Sequence, residues 1–286
     1  MAYRIVTDTC CDFPMEMYKE LALGVVPLSV NFNGKTVSSY SEKWLKGMFD
    51  GLRAGEVATT SAVNPQGWKE VIEPVLKKGE DALVLAFSSG LSTTYQSAVI
   101  AADELKEHYP DRKVMVVDTL CASLGQGLLV HYACKKRDEG LSLEELAAWV
   151  EEKKFNLCHW FTVDDLMYLK RGGRVSAATA LVGTMLHIKP ILHVDNEGHL
   201  INRAKVRGRK AAVEMLAKKM GEQYLPGEND TVFICHGDCM EDAKYLESIV
   251  KKQYGVKNVF IYYVGAVIGS HSGPGTLALF FMGKER

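Results

Sequence analysis

Neither sign of charge is in excess: 34 Lys and Arg stand against 35 Asp and Glu in 286 residues, a net charge of −1. That balance excludes the basic footprint of a nucleic-acid-binding surface or a strongly basic membrane face. Nucleotide loops are missing as well. No G-x-G-x-x-G follows a strand, and Gly34-Lys35-Thr36 lacks the earlier glycine of a P-loop, because Ser29 stands there. The strained G-x-S-x-G elbow of one large hydrolase class is absent. Cys235-His236-Gly237-Asp238-Cys239 offers ligand-type side chains, but its spacing fits no standard zinc pattern, so no metal and no cofactor is expected.

The cysteines number seven, and Cys10 and Cys11 are adjacent. An odd, scattered set does not make a disulfide framework, which points to reduced thiols and a cytoplasmic protein. Met1-Ala2-Tyr3-Arg4-Ile5 carries no signal-peptide core. Between Asn258 and Gly283 there is no Asp, Glu, Lys or Arg. Gly269–Gly275 interrupts that run with Ser, His and Pro, so two buried strands around a polar loop are predicted rather than a membrane span.

What the chain does have is a hydrophobic content of 47% and a length of about two domains. The first half alternates short apolar runs with helical periodicity. Strands are predicted at Tyr3–Thr7, Val25–Phe32, Ala82–Phe87 and Lys113–Asp118. Helices are predicted at Pro14–Leu21, Asn64–Lys78 and Thr94–His108, with two more running through Lys154. Continuous apolar strands between helices indicate a parallel sheet covered on both faces, a three-layer α/β/α unit.

The second half starts with a strand at Asn156–Val163. Lys189–Val194 and His199–Val206 then flank the turn signal Asp195-Asn196-Glu197-Gly198. Helix Arg209–Tyr224, strand Thr231–Cys235 and helix Met240–Tyr254 follow, which suggests a mixed sheet with helices on one face. The expected organisation is α/β in two domains, 1–154 and 155–286.

Three stretches of small polar residues stand out: Thr59-Thr60-Ser61, Ser88-Ser89-Gly90-Leu91-Ser92 and Gly269-Ser270-His271-Ser272-Gly273-Pro274-Gly275. They are rich in neutral hydrogen-bond donors and contain no acid pair. In open α/β sheets ligands bind beyond the carboxyl ends of strands, where Thr7-Asp8-Thr9, Ser88-Ser89-Gly90 and Asp118-Thr119 are expected. Ser92 also precedes a helix, whose free N–H groups favour an anion. Two readings stay open at this point. One is a cleft that holds a small anionic or polar group. The other is a serine hydrolase with Ser92 and His271 as two members of a triad completed by Asp8 or Asp118. Two basic stretches, Lys170-Arg171-Gly172-Gly173-Arg174 and Arg203 to Lys210, offer docking surfaces for a partner. Alternation would place Arg203, Lys205 and Arg207 on one strand face.

Taken in order, these segments resemble the DegV family of bacterial fatty-acid-binding proteins. The resemblance runs through Ile5-Val6-Thr7-Asp8, Cys11-Asp12 with Pro14, Val26-Pro27-Leu28, Thr60-Ser61 before Pro65, and Ser88 to Ser92 with Thr94-Tyr95. It continues through Val117-Asp118-Thr119, Leu169 to Arg174, Lys189-Pro190 and Gly269 to Gly275. The chain departs from the family pattern where Ala62-Val63-Asn64 separate Ser61 from Pro65. Thr93 also stands in place of a usual glycine, and Ser38-Ser39-Tyr40 in place of an aromatic-x-Asp-Gly pattern.

The resemblance implies a parallel-sheet domain and a mixed-sheet domain with a long-chain fatty acid buried between them. It implies a non-enzymatic carrier whose bound acid is turned into an acyl phosphate, for phospholipid synthesis, by a separate dihydroxyacetone-kinase-like fatty acid kinase. Transient membrane contact goes with that role. The family's carboxylate-binding positions fall on Thr60, Ser92 and His271, with Ser61, Ser89 and Gly273 beside them. Arg171, Arg174, Arg203 and Arg207 are the expected partner-docking residues, and Met185, Leu186, Ile188 and Ile191 are candidates for the tail tunnel.

Overall fold

A computed structural model of the chain describes residues 2–176 and 187–286. Its first sheet is four-stranded and wholly parallel, in the order β2 (Gly24–Val26), β1 (Tyr3–Asp8), β6 (Asp81–Ala86), β7 (Val114–Asp118). Its central strands are apolar on both faces, and Ile5, Val6 and Leu83 to Ala86 are fully buried. Helices α3 (Pro65–Lys77), α4 (Thr94–His108), α5 (Leu124–Asp138) and α6 (Leu143–Lys153) cover it. This is the arrangement required of strands that have no polar face.

The segment read as one strand from Val25 to Phe32 is two. Pro27 has no N–H for a ladder, and the chain leaves the parallel sheet there. Leu28 N donates to Thr9 Oγ1 instead (3.0 Å). Strand β3 (Ser29–Phe32) then joins a separate antiparallel sheet between β4 (Lys35–Val37) and β5 (Ala58–Ser61). Helix α2 (Glu42–Arg53), capped by Ser41 Oγ on Trp44 N, presents Leu45, Met48, Phe49 and Leu52 to the core.

The mixed sheet has six strands in the order β10 (Leu200–Arg207), β9 (Ile188–Val194), β8 (Leu157–Thr162), β13 (Leu277–Met282), β11 (Thr231–His236), β12 (Asn258–Tyr263). Only β11 and β12 run parallel. Helices α8 (Arg209–Gln223) and α9 (Met240–Tyr254) cover one face, where Leu277, Leu279 and Phe281 point. The expectation of helices on one face only is corrected. Ala278, Phe280 and Met282 point the other way, into the same core as α5, which packs against β8, β11 and β13. The space between the two sheets is therefore a shared interior.

Two local devices fix the edges of that interior. The turn after β9 is built by Asp195, whose Oδ1 accepts from Glu197 N and His199 N (3.0 and 2.9 Å), with Gly198 at φ +80°. Ser88 Oγ, in the loop after β6, donates to Gly198 O (2.9 Å), and Gly90 packs directly on the Glu197–Gly198 backbone. Across the interior lies a short helix, α10 (Ala266–Ser272), which takes in much of the stretch Gly269–Gly275 that the sequence reading placed as a polar loop. Its apolar start, Ala266-Val267-Ile268, looks like a strand end when read as sequence alone.

Helix capping gives one direct check on the local account. Asn64 Oδ1 accepts from Gly67 N (2.8 Å) and Pro65 occupies the first helical position of α3. Asn64→Ala is expected to lower unfolding free energy by about 1 kcal/mol in urea titrations, because the side chain is exposed and does little else.

Candidate functional site

A cavity of about 420 Å³ opens between the two sheets, well within the usual range for small-molecule sites. Its walls are mostly apolar. Phe87 and Leu91 come from the loop after β6, Phe161 and Phe280 from the mixed sheet, and Val264 and Val267 from around α10. The loops after β6 and β7 lie side by side, joined by Ser88 N to Cys121 O (3.1 Å), and both reach the cavity at the carboxyl end of the parallel sheet. Asp118 does not enter it. Its Oδ1 accepts from Ser89 N and Leu120 N (3.2 and 3.0 Å) and so clips the two loops.

One end of the cavity is polar. Thr60, Ser92 and His271 all line it, although 32 residues separate the first two and 179 the last two (92 − 60 and 271 − 92). Thr60 comes from β5, where alternate residues point inward, so its neighbour Ser61 is exposed and outside the wall. Thr60 Oγ1 and His271 Nε2 are hydrogen-bonded at 2.7 Å. Ser92 Oγ accepts from Thr94 N (3.2 Å) and lies 2.9 Å from Thr94 Oγ1, which ties it to the start of α4. Ser89 contributes its amide to the Asp118 clip and does not line the cavity. Gly273 ends α10 at φ +79°, packed on the Tyr168 ring, and it too lies outside the wall.

A triad is not assembled among the described residues. His271 Nε2 meets Thr60 rather than Ser92. Asp8 is buried and committed to Phe87 N, Cys10 N and Gln126. The serine has neither the base nor the orienting acid that nucleophilic attack requires.

The cation at the site was not anticipated in position. Arg174, expected on an outer docking surface, lines the cavity, with Nε donating to Leu91 O (3.1 Å) and a terminal nitrogen donating to Gly172 O. It arrives from the turn after α7 (Met167–Arg171), a segment that sequence distance does not connect to Ser92. Arg171 stays exposed and stacks over the Tyr168 ring. Arg203 and Arg207 lie exposed on the edge strand β10, on one face as the alternation implies. Of the tail-tunnel candidates, Met185 and Leu186 lie outside the described residues. Ile188 is half-buried off the cavity, and Ile191 belongs to the core under α8. Val194 and Leu200 line the cavity in their place.

Burial first, and then the Arg174 charge, bring the His271 imidazole down to about 4, so it is neutral at physiological pH. A neutral ring bonded to Thr60 puts an uncharged group rather than an ion-pair partner beside the ligand space. Gly172 packs against His271 Nδ1 so closely that an added Cβ would lie well inside van der Waals contact. Gly172→Ala is therefore expected to displace the ring and break its bond to Thr60, although its φ of −71° tolerates alanine. Changed His271 imidazole ¹⁵N shifts would report this, and unchanged shifts would show that the ring has slack.

Buried histidines also set the acid limb of stability. Burial lowers His131, His159, His193, His236 and His271, while the unfolded chain protonates near 6.5. The unfolded state then binds more protons between about pH 4 and 6.5, and stability rises with pH there. Burial raises Asp8 to about 6 and Asp12 to about 7, which acts in the opposite direction over the same window. Five groups outweigh two. Unfolding free energy is expected to be higher at about pH 6.5 than at about pH 4.5, measured by urea titration at both.

Comparison with known proteins places this geometry among relatives. The family profile described as an uncharacterised protein, DegV family, matches residues 2–284. A DegV domain-containing protein of Clostridium perfringens is 45% identical over 284 residues, covering 99% of this chain and 98% of its own. A Thermus thermophilus structure described as fatty acid binding of a DegV family protein superposes with a TM-score of 0.87. It is 33% identical and covers 98% of this chain and 99% of its own. A DegV lipid binding protein of Thermotoga maritima superposes with a TM-score of 0.85 at 30% identity, with both chains covered completely.

Proposed function

This chain belongs to the DegV family, and on that footing we propose that it binds a long-chain fatty acid in the cavity between its two sheets. The observation that carries the reading is the cavity's lining: a mostly apolar wall that also carries Thr60, Ser92 and His271, with Thr60 and His271 hydrogen-bonded to each other. Relatives described as binding fatty acids or lipid share the fold from end to end. In this reading the two sheets belong to two domains, 1–154 and 155–286, which close over the ligand.

The energetics assign different tasks to tail and head. Burying about 14 methylenes contributes up to about 11 kcal/mol. A hydrogen bond to a charged acceptor nets about 1.5–3 kcal/mol. The tail supplies most of the affinity, and the polar end fixes where the carboxylate sits and offsets its desolvation. Arg174 adds positive potential near that end but is held by Leu91 and Gly172 carbonyls, so its charge is shared. A carboxylate met by neutral donors stays nucleophilic.

The finer reading is that the protein presents this carboxylate to a separate kinase, which supplies nucleotide and metal for acyl-phosphate formation. Arg171, Arg203 and Arg207, all exposed, are the docking candidates. Under this reading the carrier performs no chemistry of its own. It works in the cytoplasm and touches membrane only transiently.

Titration of delipidated protein tests the binding reading. Palmitate is expected to bind tightly and hexadecanol about tenfold to a hundredfold more weakly, since only the head contacts change. Octanoate, about eight methylenes shorter, is expected to bind at least about a thousandfold more weakly. Palmitate and octanoate binding alike would contradict the reading.

A further inference from the structure

A second cavity, of about 560 Å³, lies beyond the start of α10 and shares no lining residue with the first. Three of its lining residues carry carboxyl groups, Asp12, Glu16 and Glu42, and among the described residues that line it none is Lys, Arg or His. Aromatic rings form much of the remainder: Phe13, Tyr18, Tyr40 and Tyr262. Glu16, Glu42 and the serines at 38, 39 and 41 are exposed at its rim, while Asp12 and Tyr18 are each only 3% exposed at its base.

The base is under-satisfied. Tyr18 Oη is buried and makes no hydrogen bond among the described residues. Asp12 Oδ2 accepts from Ser123 Oγ, but Asp12 Oδ1 makes no hydrogen bond of normal geometry and has only weak support from the Gly265 amide. A buried hydroxyl without a partner, and a buried carboxyl oxygen with only a poor one, are costly unless something in the cavity meets them. The local field selects its sign. Burial, and then Glu42, Glu16 and Asp12, push the Tyr262 phenol up to about 12.

Several ligand classes fit badly. Anions meet three carboxyl groups and no cation. Among the described residues no three acidic, His or Cys side chains converge closely enough for a metal ion. A neutral molecule would leave the field unused. A protonated amine suits these features: its N–H groups are donors for the under-satisfied oxygens, its charge complements the exposed Glu16 and Glu42 and the ring faces, and its apolar body matches Phe13 and Leu45.

We propose that this second cavity is a binding site for a small organic primary ammonium ion, held by Asp12 Oδ1 and Tyr18 Oη at its base and by Glu16 and Glu42 at its rim. The site does not depend on the fatty-acid reading. It does adjoin the first cavity. Tyr40 Oη accepts from Ala266 N at the start of α10 (3.0 Å), and Ser123, bonded to Asp12, lines the fatty-acid cavity.

The test uses the full chain loaded with palmitate, so that the first cavity is occupied, and titrates 2-phenylethylammonium, 2-phenylethanol and 3-phenylpropionate by NMR. The ammonium ion is expected to bind saturably, with shifts at Tyr18, Tyr40 and Gly265. The alcohol is expected to bind at least about tenfold more weakly, and the propionate not measurably. Tyr18→Phe removes an orphan hydroxyl, so it is expected to leave the free protein as stable as before or more so while weakening the amine about fivefold or more. Glu16→Gln with Glu42→Gln, both exposed and safe for folding, is expected to weaken it further, most at low salt. Equal binding of amine and alcohol would overturn the proposal. So would no saturable amine shift, or unchanged amine affinity in both variants.

Discussion

Ala278→Phe is expected to lower affinity for palmitate by about a hundredfold while leaving octanoate nearly unaffected. Ala278 is 4% exposed, the second residue of β13, opposite Phe161 on β8 and Cys235 on β11. Its side chain lines the cavity, whereas Leu277 and Leu279 on either side of it face α8 and α9. A phenyl ring at this position enters empty space and takes the room of about four methylenes, worth about 3 kcal/mol. That converts to about a hundredfold in affinity. Because the ring fills a void rather than a packed core, stability should change by less than about 2 kcal/mol. Fluorescence displacement with both acids checks the prediction. Equal weakening of the long and short acids would mean that the ring disturbs the site generally and does not shorten it.

Ser92→Ala is expected to reduce phosphate transfer to the bound acid by about a hundredfold, and binding of the acid by less than about tenfold. The tail carries the affinity, so one hydroxyl contributes little to it. Transfer depends on where the carboxylate oxygen points, and a misplacement of about 1 Å can cost about a hundredfold. The variant also loses the bond from Thr94 N to Ser92 Oγ, at a cost of about 1 kcal/mol in stability. Thermal unfolding controls for that loss. Transfer assayed with a fatty acid kinase, alongside palmitate titration, separates the two effects. Parallel losses would contradict the division of labour between tail and head.

Much of the site was legible because polar residues at strand ends have few roles other than capping or binding. That ground marked the three stretches; the family resemblance singled out Thr60, Ser92 and His271 within them, and all three line one cavity. Ser61, Ser89 and Gly273 share the same stretches but lie outside its wall. Strand alternation could have removed Ser61, since β5 points Thr60 inward and its neighbours outward. Nothing local marks Arg174 as a cavity residue, because its position depends on how the turn after α7 packs against Leu91, 83 residues earlier (174 − 91).

The fold shows the same division. Helix Thr94–His108 agrees with its sequence periodicity at both ends. Helix α2 is missing from the sequence reading, although Leu45, Met48, Phe49 and Leu52 stand at helical spacing behind the Ser41 cap. Strand β3 and helix α10 were not legible. Pro27 sends the chain to another sheet, and α10 is only seven residues, too short for a periodic pattern, with Gly269 packed closely on Phe49. Such contacts between distant segments leave no periodic trace. The same holds for the second cavity, whose base joins Asp12 and Tyr18 to Gly265 across most of the chain.

The most direct measurement is a mass spectrum of the lipid extracted from the purified protein. A cavity closed by Thr60, Ser92 and His271 around an acyl chain should yield near-stoichiometric long-chain fatty acid from the wild-type chain and little or none from Ala278→Phe. An extract without fatty acid, from protein that after delipidation takes up no palmitate, would contradict it.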